Sequence, residues 1–244
     1  MIPDTDTIRL DRRIILITGA GDGIGKATAL ACARHGATII LLGRTVHKLE
    51  QVYDEIKQNG WPEPAIYPLD LEGATPADYN DLHDNIDKEF GRLDGLLNNA
   101  GWLGASTPIE IYDIELWYKV MQINLNAPFM LSKACIPLLR KSSSARIVFT
   151  ADDKISAYWG AYGAAKAGQL SLMHILADEL ESKDIPVNAV IPGPIRTRFR
   201  ALAFPAEDKR QLPSPEEITD MFVYLLSGEV TETGKIFDLM KDEK

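Results

Sequence analysis

A single α/β domain, built on a doubly wound parallel sheet of about seven strands with helices on both faces, is what this chain of 244 residues predicts. Three observations carry the expectation. Short apolar runs alternate with helical patterns from end to end, and a glycine-rich turn joins the first run to the first helix. Polar or glycine-rich segments then follow strand after strand, which parallel connectivity gathers at one sheet edge. With 45% hydrophobic residues and no linker or low-complexity tract, residues 1–244 read as one domain with a large core.

The first strand is expected at Ile14–Thr18, after the charged stretch Asp11-Arg12-Arg13. Thr18-Gly19-Ala20-Gly21-Asp22-Gly23-Ile24-Gly25 then opens a helix near 24–35. Glycine has no Cβ, so such a turn can bend tightly and approach a pyrophosphate, whose charge the helix N-terminus stabilises. The spacing Gly19, Gly23, Gly25 is not the G-x-G-x-x-G fingerprint, and a plain tight connection also fits it. A second strand, Thr38–Leu42, reaches Gly43-Arg44 and precedes a helix near 45–58. Ala65–Leu69 ends at Asp70-Leu71 before a helix near 77–90, and Leu93–Leu97 runs into Asn98-Asn99-Ala100-Gly101. A long apolar helix follows near 113–140. Arg146–Thr150 leads through Ala151-Asp152-Asp153-Lys154 to a helix near 161–183. Val187–Ile191 ends at Pro192-Gly193, with Ile195 and Thr197 beyond; a helix near 215–226 and a weak strand, Ile236–Asp238, close the domain. Ligands of such sheets sit at the carboxyl ends of the strands. The glycine turn, Asn98–Gly101, Thr150–Asp153 and Pro192–Thr197 therefore face one crevice.

Tyr162 and Lys166 stand four residues apart in WGAYGAAK, on one face of a helix. A phenol titrates near about 10, and an ammonium held close favours the phenolate, so the pair can move a proton. A solvent-facing helix pair has the same spacing. The net charge of −9 with no basic stripe argues against nucleic acid. No secretory apolar segment and no membrane-spanning run is legible, which predicts a soluble cytoplasmic protein with no membrane partner. Cys32 and Cys135 read as reduced core residues, and His35, His47, His83 and His174 lack metal-ligand spacing, so no metal is expected.

Taken in order, the glycine motif, Asp70-Leu71, Asn98 to Gly101, Asn124, Tyr162 with Lys166, and Pro192-Gly193 through Thr197 resemble the short-chain dehydrogenase/reductase family over nearly the whole chain. The runs RIILITGAGDGIG, QINLNAPFML, WGAYGAAK and AFPAED further resemble its bacterial YciK-like branch. The resemblance implies a Rossmann-like domain and an oxidoreductase that moves a hydride between NAD(P)(H) and a small-molecule carbonyl or alcohol. It implies Tyr162 as general acid and base, Lys166 lowering its pKa and reaching the nicotinamide ribose, and Asn124 holding a relay water. Gly19, Gly23 and Gly25, with Gly21, Asp22 and Ile24, would hold the pyrophosphate. Asp70, beside Leu71, would bind the adenine amino group. Asn99, Ala100 and Gly101 would line the adenosine pocket, and Pro192, Gly193, Ile195 and Thr197 the nicotinamide carboxamide. Related folds carry a carboxylate after the second strand for the ribose hydroxyls; Arg44 at this place favours NADP(H) over NAD(H), while Asp22 and a plain surface role for Arg44 count against it.

One departure stands out. Aligned from the fifth strand, Asp152 occupies the place of the family's substrate-binding serine, and the loop to Tyr162 is about three residues short. Thr150 and Ser156 are the nearby hydroxyls. An ionised carboxylate accepts but does not donate, and it repels a developing oxyanion. Asp152-Asp153 is otherwise a solvated turn. A second function class stays open on this ground: a nucleotide-binding sensor or interaction partner with weak or no turnover. Residues 198–215, with Phe199, Leu202, Phe204 and Pro205 beside four basic residues, read as a substrate lid for an apolar or acyl-type carbonyl, or as a mobile surface loop. The stretches 111–139 and 164–180 carry more apolar positions than one stripe needs. A second buried face follows, in a homodimer or homotetramer or under loops of the same chain.

Overall fold

The computed structural model describes residues 5, 7–182 and 184–240. Strand β1 (Ile14–Thr18) is buried along its whole length and pairs in parallel with β2 (Thr38–Gly43) on one side and β4 (Gly95–Asn98) on the other. Covered on both faces, it reads as an unbroken apolar run. Strand β3 (Ala65–Pro68) lies beyond β2, while β5 (Arg146–Thr150), β6 (Val187–Ile191) and β7 (Ile236–Asp238) continue past β4. The sheet order is β3-β2-β1-β4-β5-β6-β7, every pairing parallel. The direction of winding reverses between β1 and β4, which opens the crevice there.

Successive residues of each strand feed opposite layers. Leu16, Ile40, Leu96, Ile147 and Phe149 pack with helices α3 (Pro76–Phe90), α5 (Ala127–Leu139) and α6 (Gly160–Glu181) through Leu82, Leu131, Cys135 and Met173. Ile15, Ile17, Leu41, Leu97 and Val148 pack with α1 (Gly23–Arg34), α2 (Val46–Gln58) and α8 (Thr219–Leu226) through Cys32, Val52 and Phe222. Both cysteines are free, and burial pushes each thiol up to about 12, as befits inert core residues. Among the described residues no helix is long and apolar enough to cross a membrane.

Three departures from the expected elements have local causes. Strand β4 starts at Gly95, not Leu93, because Leu93 N–H donates to Leu138 O at the end of α5 and Asp94 turns its carboxylate to Ile14 N–H at 2.9 Å. A six-residue helix, α7 (Arg198–Ala203), lies inside the predicted lid, capped by Thr197 Oγ1, which accepts from Arg200 N–H at 3.1 Å. The long helix near 113–140 is interrupted: α4 (Ile114–Met121) passes into a π turn at Gln122–Asn126 before α5. Pro128 has no N–H to bond Asn124 O, so the ladder slips and Ala127 N–H reaches back to Gln122 O.

Candidate active site

The glycine turn after β1 is built against the loop after β4. Gly19 and Gly23 sit at φ +67° and +52°, the left-handed region that glycine tolerates. A Cβ on Gly25 would stand 2.3 Å from Gly19 O and 2.5 Å from Asn99 Nδ2, so no side chain fits between turn and loop. Thr18 ties the two together: its Oγ1 accepts from Asn99 N–H and Ala100 N–H, both at 2.9 Å, and its O accepts from Asn99 Nδ2 at 3.0 Å. A Cβ on Gly23 would lie 3.2 Å from Thr197 Cγ2, which brings the segment after β6 to the same place. Ile195 is buried, and Gly193, at φ +75°, turns against Met240. The turn thus offers backbone and small atoms to a ligand, as a diphosphate requires.

Asp22 caps α1 by accepting from Gly23 N–H at 2.8 Å, and Lys48 Nζ lies 2.5 Å from its other oxygen. Against partial burial, these two contacts hold the carboxyl below the usual carboxylate range. The negative charge expected to disfavour a 2′-phosphate is therefore paired. Lys48 escaped the sequence reading, because its meeting with Asp22 joins residues 26 apart and leaves no local mark. Arg44 itself is exposed at the end of β2 and has no hydrogen bond or ion pair among the described residues. Asp70 is also exposed, its carboxylate accepting from Glu72 N–H at 3.2 Å, while Leu71 is buried. Gly21 faces Lys48 Cβ, 3.0 Å from the position of an added Cβ, and Ile24 packs into the layer under the turn.

The second half of the site stands on α6. Tyr162 and Lys166 are both buried on its inner face. Tyr162 Oη donates to Asp152 Oδ2 at 3.0 Å, so the aspartate meets the phenol as the sequence alignment placed it. Thr150 Oγ1 turns away to donate to Asn99 Oδ1 at 3.2 Å, and Ser156 is exposed. Lys166 Nζ donates to Thr150 O at 2.7 Å and to Gln169 Oε1 at 3.1 Å. Gln169 Nε2 in turn donates to Asn124 O at 3.3 Å, the carbonyl that the π turn leaves free. Lysine and asparagine are therefore joined through Gln169, a fully buried residue three positions beyond Lys166 that the sequence reading missed. The Asn124 side chain holds the loop after β4, donating to Trp102 O at 2.8 Å and accepting from Trp102 N–H at 3.0 Å. Gly101 closes the circle: an added Cβ would lie 3.3 Å from Asn124 Oδ1 and 4.0 Å from Lys166 Nζ.

Electrostatics correct one expectation. Spacing alone suggested a phenol depressed by Lys166; burial and then Asp152, by its charge and its hydrogen bond, instead raise Tyr162 well above its ordinary value. The lysine bonds neutral oxygens and lies 5.9 Å from the centroid of the phenol ring. Burial brings Lys166 down to about 8, with Asp152 opposing the shift. Over the tyrosine lie aromatic side chains from the predicted lid and the loop before α6: Phe199 at 5.2 Å and Trp159 at 5.8 Å between centroids, with Phe204 5.8 Å from Trp159. Arg200 fixes this arrangement with paired contacts to Glu207 at 2.6 and 2.7 Å and a stack on Phe204.

The profile of the family described as short chain dehydrogenase matches residues 13–208. YciK of Escherichia coli K12, an uncharacterized oxidoreductase, is 41% identical over 239 residues, spanning 96% of this chain and 94% of that one. A Shigella flexneri 2a chain solved with NADP superposes with TM-score 0.91 at 41% identity, covering 96% of this chain and 99% of the other. A chain from Escherichia coli CFT073 solved with NADPH does so with TM-score 0.91 at 42% identity, covering 97% and 99%.

Proposed function

The chain belongs to the short-chain dehydrogenase family and is an oxidoreductase of that family, and from that premise we propose that it interconverts a carbonyl and an alcohol with NADP(H), using Tyr162 as general acid and base. The observation that carries the proposal is the meeting, at one sheet edge, of the glycine cradle with a buried Tyr162 and Lys166. When bound, the dinucleotide supplies or takes the hydride. Gly19, Gly21, Gly23, Ile24 and Gly25 would receive its diphosphate, Asn99 to Gly101 and Asp70 with Leu71 its adenosine, and Pro192, Gly193, Ile195 and Thr197 its carboxamide. In reduction, Tyr162 gives its proton to the carbonyl oxygen as the π pair moves there, and in oxidation it takes that proton back. Lys166 would bring its charge to the site of proton transfer, and Gln169 and Thr150 O hold it in place. Asn124 positions the loop and Gln169 together.

Asp152 against the phenol favours the second reading, a nucleotide binder with little turnover. A titration with NADP(H) beside a panel of carbonyls and alcohols separates the two: binding without turnover across the panel overturns catalysis, and turnover overturns the passive binder. Turnover is expected to fall as pH rises through about 8, where Lys166 loses its charge. Lys166→Arg moves that limb upward, because arginine stays charged; an unmoved limb removes Lys166 from the assignment.

The guanidinium of Arg44, unpaired among the described residues, supports NADP(H) over NAD(H), and the Lys48 partner of Asp22 offsets the charge that counted against it. Arg44→Ala is expected to weaken NADPH binding about tenfold or more, the scale of a lost charged hydrogen bond, with NADH affinity unchanged. Equal or tighter NADH binding by the unaltered protein overturns the preference. Self-association is proposed on the outer faces of α5 and α6, where Phe129 and Ile175 are 46% and 54% exposed beside an apolar groove of about 310 Å³. Light scattering at micromolar concentration is expected to give a dimer or tetramer; a monomer mass excludes it.

A further inference from the structure

We infer that the carbonyl or alcohol substrate carries its own cation, an ammonium group one carbon from the reacting carbon, and that Asp152 is its receptor. The inference rests on the oxidoreductase reading above and names the substrate class of that site.

A carboxylate at the catalytic phenol is a liability for a neutral ketone. Asp152 Oδ2 accepts the Tyr162 hydroxyl at 3.0 Å, so the proton that should face a carbonyl oxygen is drawn toward the aspartate. The oxyanion that develops on hydride addition would form beside a negative charge, and the nearby hydroxyls among the described residues do not serve it: Thr150 Oγ1 is bonded to Asn99 and Ser156 is exposed. A substrate ammonium reverses both effects. It donates to Asp152, which frees the phenol to turn to the carbonyl oxygen, and its charge lies next to the forming oxyanion.

The structure already holds an ammonium in this place, one of the chain's own. Lys154 Nζ lies 3.5 Å from Asp152 Oδ1, 3.2 Å from Asp153 Oδ1 and 6.0 Å from the centroid of the Trp159 ring. Carboxylate and aromatic face together are a recognised setting for an organic cation. Lys154 does not neutralise the site, since one ammonium is shared between two carboxylates and is nearer to Asp153. Its side chain is 32% exposed, so it can stay with Asp153 while another cation takes Asp152. Lys166 feels the charge of Asp152 only through space, because its ammonium is bonded to Thr150 O and Gln169 Oε1. Trp159 and Phe199 against the tyrosine ring leave an apolar wall for the rest of such a molecule.

Matched pairs that differ only by ammonium for methyl test this: 2-amino-1-phenylethanone against propiophenone in NADPH-dependent reduction, and 2-amino-1-phenylethanol against 1-phenyl-1-propanol in calorimetric binding to the NADP-loaded protein. The expected result is a kcat/KM at least tenfold higher for the amino ketone and binding at least tenfold tighter for the amino alcohol. Asp152→Asn is expected to erase both preferences, and Asp152→Ser to erase them while speeding propiophenone reduction. Turnover of both ketones with no preference, or a preference that survives Asp152→Asn, overturns the inference and leaves the oxidoreductase reading standing. Tight, Asp152-dependent binding of the amino alcohol with no turnover of either ketone upholds the cation site and counts against catalysis. Equal binding of both alcohols with no turnover overturns both.

Discussion

Tyr162→Phe is expected to cut turnover by about a hundredfold to ten-thousandfold, the range of a lost general acid, while NADP(H) affinity stays within about twofold. The substitution removes one oxygen from a buried ring and leaves its contacts with Phe199 and Trp159 available. It also removes the hydroxyl that donates to Asp152, and Lys154 remains as the ion-pair partner of that carboxylate. Stability is therefore expected to change little, and a thermal melt within a few degrees of the unaltered protein establishes that any loss of rate is chemical. Steady-state rates with a saturating substrate, beside a direct NADPH titration, check the split between chemistry and binding. Full activity in Tyr162→Phe removes the tyrosine from the mechanism; a parallel loss of NADPH affinity assigns it to binding.

Gly25→Ala is the second large effect, on the cradle rather than the proton. The added Cβ would stand 2.3 Å from Gly19 O and 2.5 Å from Asn99 Nδ2, contacts that no side-chain rotation relieves because one of them is backbone. The turn and the loop after β4 must part, and overpacking of this kind costs about 1–3 kcal/mol. For a domain of this size that lowers Tm by roughly 2–4 °C per kcal/mol. Because the displaced atoms belong to the proposed diphosphate turn and to the adjoining adenosine loop, NADP(H) affinity is expected to fall by more than tenfold as well. Gly73→Ala is the control, since a Cβ there meets nothing within 4 Å. Loss of stability and affinity in Gly25→Ala with neither in Gly73→Ala is the expected pattern; an unchanged affinity in Gly25→Ala moves the diphosphate elsewhere.

Much of this molecule was legible in its residues. The bounds of β1, β5 and β6 coincide with the runs that predicted them, because a strand covered on both faces is largely apolar; those of the edge strand β7, where Ile236 is exposed, coincide as well. Glycine turn, Tyr162 and Lys166 were legible for a similar reason: a left-handed backbone and an i, i+4 helical pair leave local marks. The placement of Asp152 also followed from counting forward from a strand end.

What local pattern could not carry was decided between segments distant in the chain. The break in the long helix has a local cause, Pro128 withholding an N–H from Asn124 O, but the use of that freed carbonyl depended on Gln169, 45 residues away. Lys48 neutralises Asp22 across 26 residues, which turned an argument against NADP(H) into a neutral one. The direction of the Tyr162 shift was wrong from spacing because spacing records neighbours on one helix, whereas burial and the carboxylate that bonds the phenol come from the rest of the fold. The sequence by itself thus determined the parallel sheet and the residue types at its carboxyl edge, which follow from periodicity and backbone sterics. Only the tertiary structure decided which charges meet there, since the energy of an ion or a buried hydroxyl depends on what surrounds it in space, and that is set after the chain has closed on itself.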